Sequence, residues 1–160
     1  PGKFVPVFER NGFIVRLDRY VWELVCEFLG KMREVTGRLL PVSVNVSRLN
    51  LYNLDLLDFL MGLVKKYHIS PEHLHLEITE SAYTQDADQI IATVNQLRDS
   101  GFTIEMDDFG SGYSSLNMIS TLPIDVLKLD MMFIRNAFGE NRNTRMLEFV
   151  FDIADDIHDL

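Results

Sequence analysis

The chain has 160 residues, 47% apolar and 24% charged, the length and make-up of one globular domain, which excludes disordered and collagen-like classes. A formal net charge of −9 argues against a nucleic-acid partner, because affinity for the phosphate backbone comes from clustered Lys and Arg. No run reaches the ~18 apolar residues of a membrane-spanning helix, and a single cysteine, Cys26, excludes an internal disulfide.

The opening Pro1-Gly2-Lys3-Phe4 has neither a start methionine nor a signal-peptide pattern, so the chain reads as soluble and as a piece of something longer. Asp18 precedes Val21, Leu24, Val25, Phe28 and Met32 at helical spacing, which makes it a candidate N-cap. Cys26 falls on that helix and is expected to be a buried, inert thiol in a reducing compartment. "LLPVSVNVS", from Leu39 to Ser47, alternates with period two and predicts a strand. Leu56, Phe59, Leu60, Leu63, Val64 and Tyr67 share one helical face. "LHLEITE", from Leu74 to Glu80, is the next strand.

Asp86 and Gln89 form a capping-box pattern before the stripe Ile90, Ile91, Val94 and Leu97, and Gly101 stops that helix. A strand from Phe102 to Asp108, a short helix around Ser114 to Ser120, a strand from Asp125 to Asp130 and a helix from Asn143 to Leu160 complete the pattern. Trp22, Phe28, Phe59, Phe149 and Phe151 fall on helical stripes and are expected in the core. Strands alternating with helices imply parallel βαβ units. Neither a P-loop nor a dinucleotide fingerprint follows any strand. Four strands are a little over half of a (β/α)8 barrel of ~250 residues, so the fold class is α/β, an incomplete TIM-like barrel spanning residues 1–160.

Strands covered on both faces normally read as continuous apolar runs. These four do not. Ser43, Asn45 and Ser47 alternate with valines; His75, Glu77 and Thr79 with Leu74, Leu76 and Ile78; Thr103, Glu105 and Asp107 with Ile104 and Met106; Lys128 and Asp130 with Leu127 and Leu129. In a barrel the polar faces converge inside, and Asn45, Glu77, Asp107, Asp108 and Lys128 fall near the C-terminal strand ends, where such barrels carry their active sites. Gathered carboxylates need a compensating cation, and oxygen donors suit Mg2+, Mn2+ or Ca2+. Adjacent acids at one strand end can serve two neighbouring ions, the arrangement used for displacement at phosphorus, with a lysine beside them to orient water or stabilise phosphate charge. His68, His73, His75 and His158 show no metal-ligand spacing, and the acidic segment from Glu148 reads as a solvated helix face.

In that order and spacing, "NVS", "LEITES", "DDFGSGYSSL" and "LPIDVLKLD" closely resemble the EAL domain, a bacterial family that hydrolyses cyclic di-GMP. The opening "GKFVPVFERNGFIVRLDRYVWE" is similar to the segment that follows the family's namesake motif, so the resemblance covers essentially the whole chain. It implies a cytoplasmic, Mg2+- or Mn2+-dependent phosphodiesterase that opens one phosphodiester of cyclic di-GMP to give linear pGpG. By this resemblance Asn45, Glu77 and Asp107 match metal ligands, Asp108 the acid of the second metal, Lys128 the lysine near the attacking water and Asp130 a supporting acid. Glu80 matches the residue that holds the glycine-serine loop, here Gly110, Ser111, Gly112, Tyr113, Ser114 and Ser115, which is expected to admit substrate phosphate. The resemblance also implies a homodimer and sensor or cyclase modules in the parent protein. The Glu-Ala-Leu motif and a later glutamate-bearing segment are absent from the chain, so the 160 residues alone are expected to hydrolyse cyclic di-GMP poorly or not at all. A non-catalytic receptor for the same ligand, or a protein-interaction module on the same fold, is the alternative.

Overall fold

The computed structural model describes residues 2–84, 87–110 and 123–138. Strands β1 (Val42–Asn45), β2 (Leu74–Thr79), β3 (Ile104–Phe109) and β4 (Val126–Leu129) form one sheet in the order β1-β2-β3-β4, every neighbouring pair parallel. Helices α1 (Val5–Asn11) and α2 (Ile14–Thr36) precede the sheet. Between β1 and β2 run α3 (Arg48–Leu51) and α4 (Leu56–Lys66); α5 (Ala87–Asp99) lies between β2 and β3, and α6 (Met131–Phe138) follows β4. The expected α/β architecture with parallel strands is therefore present. The helices expected around Ser114 to Ser120 and Asn143 to Leu160, with Asp86, Phe149, Phe151 and His158, lie outside the described residues.

The strand alternation sorts side chains as the sequence implies. Val44, Leu74, Leu76, Ile78, Ile104 and Met106 are buried, facing a core that includes Leu60, Leu63 and Val64 of α4 and Ile90, Val94 and Leu97 of α5. Each such side chain contributes ~1.5–3 kcal/mol by leaving water. Gly101, at φ 94°, ends α5 in the left-handed region open to glycine.

Helix α2 differs from its sequence reading. It begins at Ile14, after Gly12 (φ 76°) has ended α1, so Asp18 lies inside the helix and is not its N-cap. The buried face carries Ile14, Asp18, Trp22, Cys26, Leu29 and Gly30, while Val21, Leu24 and Phe28 are exposed. The buried stripe is offset from the one the spacing suggests, and it carries Trp22, fully buried, together with Gly30. Gly30 sits so close to α4 that an added Cβ would lie 3.0 Å from the Tyr67 carbonyl oxygen, an approach possible only on the Gly30 side. Trp22 is buried as expected, Phe59 is partly buried, and Phe28, expected in the core, is 58% exposed. Cys26 is buried, and that burial, reinforced by the Glu23 carboxylate, pushes its thiol up to about 11, consistent with an inert side chain.

Candidate active site at the C-terminal strand ends

Register brings the polar faces together. Asn45 pairs with Glu77 across β1 and β2, Glu77 with Glu105 across β2 and β3, and Thr79 with Asp107 one pleat further on. The β3–β4 ladder then slips: Met106 pairs with Leu127 and Phe109 with Leu129, so Asp107 and Asp108 together face the single residue Lys128. That is a β-bulge, which sharpens local twist and re-aims side chains. Asp108 takes up the extra length with φ 58°, a left-handed conformation that aspartate tolerates better than most residues. The two adjacent acids thus leave the strand in different backbone conformations, Asp107 half-buried and Asp108 exposed.

Lys128 reaches back across the sheet. Its ammonium forms ion pairs with the Glu77 carboxylate and, at 2.6 Å, with Glu105 Oε2. Glu105 is buried, at 4% exposure, and its other oxygen lies 2.6 Å from His75 Nδ1. Burial opposes charge on Glu105, but Lys128, His75 and Ser43 outweigh it and hold the carboxyl below its ordinary value. Burial likewise opposes charge on Lys128, and the two carboxylates more than restore it, so the ammonium stays protonated well above neutrality. Partial desolvation at the strand end, with the charges of Asp107 and Asp130, pushes the exposed Asp108 up. Glu80, buried at the end of β2, accepts a 3.0 Å hydrogen bond from the Gly110 backbone N–H just past the diacid. Asp130 caps the start of α6, accepting from Met132 N–H at 2.6 Å.

The end of β1 is clamped from α2. The Trp22 indole N–H donates to the Asn45 carbonyl oxygen at 2.9 Å. Asp18 Oδ2 accepts from the Ser47 N–H at 3.0 Å and from the Asn50 side-chain amide at 2.8 Å.

Among the described residues, no group of three or more His, Cys, Asp or Glu side chains gathers closely enough to hold a metal ion. The donors at the strand ends are nevertheless all oxygens: the Asn45 amide, abreast of Glu77, and the Glu77, Asp107 and Asp108 carboxylates. Oxygen donors of this kind fit a hard cation such as Mg2+. No helix among the described residues is long and apolar enough to cross a membrane.

The family pattern described as "EAL domain" matches residues 1–158. The chain belongs to the EAL domain family. Among its EAL relatives, the cyclic di-GMP phosphodiesterase NbdA of Pseudomonas aeruginosa is 32% identical over 158 residues, 99% of this chain and 20% of that protein. The bifunctional diguanylate cyclase/cyclic di-GMP phosphodiesterase MucR of the same organism is 35% identical over 150 residues, 94% of this chain and 22% of that protein. The chain thus spans about a fifth of the curated relatives it matches. The solved structure described as the PaMucR phosphodiesterase, c-di-GMP complex, superposes with a TM-score of 0.85 at 31% identity, covering 99% of this chain and 64% of that one. The EAL domain of Mycobacterium smegmatis DcpA gives a TM-score of 0.76 at 30% identity over 88% of this chain. The incomplete barrel expected from the strand count is therefore an EAL barrel in part.

Of the residues singled out in the sequence, Gly110 is described, with φ 86°, whereas Ser111, Gly112, Tyr113, Ser114 and Ser115 lie outside the described residues. Period-two alternation places Glu105 and His75 on the polar face but does not mark them as members of the site. The signal available was Glu105 itself, an acid in mid-strand beside Glu77 and within reach of a lysine one strand over.

Proposed function

We propose that the chain is the central part of a metal-dependent phosphodiesterase domain that opens cyclic di-GMP to linear pGpG. The observation that carries this reading is the bulge that sets Asp107 and Asp108 against Lys128, at the ends of parallel strands shared with Asn45 and Glu77. In this reading Asn45, Glu77 and Asp107 hold one Mg2+ or Mn2+, and Asp108 serves a second. Bound cations supply charge compensation for in-line displacement at phosphorus. Lys128 places a protonated amine beside the reacting phosphate, where it orients water and offsets negative charge as the bond breaks. Glu80 fixes Gly110, the first residue of the glycine-serine loop, and so sets where that loop meets the substrate. Asp130 supports the site from the start of α6. Dimerisation and attachment to sensor or cyclase modules belong to the same reading of the parent protein.

The test uses a full-length protein carrying this chain, with cyclic di-GMP and Mn2+ or Mg2+, and pGpG separated by chromatography. Turnover that disappears in Asp107→Ala supports the reading; turnover retained in that variant removes the metal assignment. Tight binding of cyclic di-GMP without turnover in saturating metal would instead make the domain a receptor. Made alone, the 160 residues are expected to produce little or no pGpG.

A further inference from the structure

Lys128 is held by two carboxylates of different standing. Glu77 sits at the strand ends abreast of Asn45 and belongs to the oxygen donors assigned to a cation. Glu105 sits at the same level one strand over, is 4% exposed, and has its second oxygen engaged by His75 Nδ1 at 2.6 Å. A carboxylate that serves a cation gives up much of its attraction for an ammonium, whereas one more fully shielded from solvent and oriented by an imidazole keeps it. We propose that Glu105, backed by His75, is the positioning residue for Lys128: it is the counter-charge that remains when a metal draws Glu77 away, and it fixes where the ammonium stands on the polar face of the sheet. This rests on the phosphodiesterase reading for its kinetic consequence, though not for the contact itself.

The two roles separate by measuring the reactivity of Lys128. A full-length protein carrying this chain is treated with limiting acetic anhydride in saturating Mg2+, and Lys128 acetylation is read by peptide mass spectrometry against the exposed Lys65. In E105Q the ratio should rise about fivefold, because a charge-assisted contact is lost, with Lys65 unchanged. Cyclic di-GMP turnover in the same variant should show kcat lowered about tenfold at an unchanged KM. An unchanged Lys128 ratio overturns the proposal, as does a raised ratio with undiminished kcat. If the wild-type protein binds cyclic di-GMP without turnover, the phosphodiesterase reading falls and the labelling ratio alone decides the positioning role. If E105Q does not fold, H75Q should raise the ratio in the same direction by about twofold, and no rise in it overturns the proposal.

Discussion

Asp107 and Asp108 share one opposing residue, and the two-to-one pairing with Lys128 gives each acid a different backbone conformation. Asp108 is exposed, in a left-handed conformation, and carries a pKa raised by the partial desolvation it does meet at the strand end and by the charges of Asp107 and Asp130. Replacing it with Asn removes that repulsion. Asp108→Asn should therefore raise the Tm of the metal-free protein by about 1–2 °C while lowering pGpG production by the full-length protein, measured by scanning fluorimetry and chromatography. A lowered Tm would mean that repulsion is not what the site stores. Gly110 is more constrained: its φ is 86°, and an added Cβ would fall on the Phe133 ring, 2.9 Å from Phe133 Cβ. Gly110→Ala should cost ~1–3 kcal/mol in urea unfolding, and an unchanged midpoint would contradict the packing. Alternation in the sequence places Glu77, Glu105 and Asp107 on one face, but does not say which of them Lys128 chooses. That depends on strand register, which the lengths of the intervening segments set. Nor does "EMDDFG" announce a bulge, since aspartate adopts both backbone conformations at small cost.

At the scale of elements, α2 is the least legible part of the chain and the part that steadies β1. A polar residue ahead of an apolar helical stripe reads as an N-cap, yet Asp18 is buried one turn into the helix and binds the chain leaving β1. What the sequence lacks is the identity of the surface that each stripe meets. Trp22→Phe keeps most of the apolar volume but loses the bond to the Asn45 carbonyl. It should cost ~1–2 kcal/mol and speed amide exchange at the end of β1, with the exchange of α5 unchanged. Asp18 carries a pKa raised chiefly by burial, against the hydrogen bonds of Ser47 and Asn50. The folded protein therefore holds this proton more tightly than the unfolded chain. The associated stability is present below the unfolded value of about 4 and is lost as pH rises through the higher folded value. Asp18→Asn should flatten urea stability against pH across that window; an unaltered slope would place the titration elsewhere.

The whole molecule shows what strand counting captures and what it leaves open. Four half-polar strands at intervals of about one βα unit are enough to infer a parallel sheet with one polar face, and the chain superposes on EAL structures with a TM-score of 0.85 for the first of them. In the described residues β1 and β4 each pair on one side only, and Tyr20, Leu24 and Phe28 of α2 are exposed. Unpaired strand edges and exposed apolar stripes favour association. The isolated 160-residue chain should therefore sediment, at rising concentration, as species heavier than the 18.5 kDa monomer, and a concentration-independent monomer would count against this.

The contact between Gly110 and Phe133 has a temporal side. The diacid on β3 precedes α6 in the chain, yet the backbone leaving it packs on a ring that α6 supplies, with Phe109 and Phe133 centroids 5.9 Å apart. During synthesis, a nascent chain that has emerged only as far as the diacid carries the acids without the wall behind them. The site therefore takes shape only after β4 and α6 have left the ribosome and docked, so a prematurely terminated product would hold the acidic residues without their geometry.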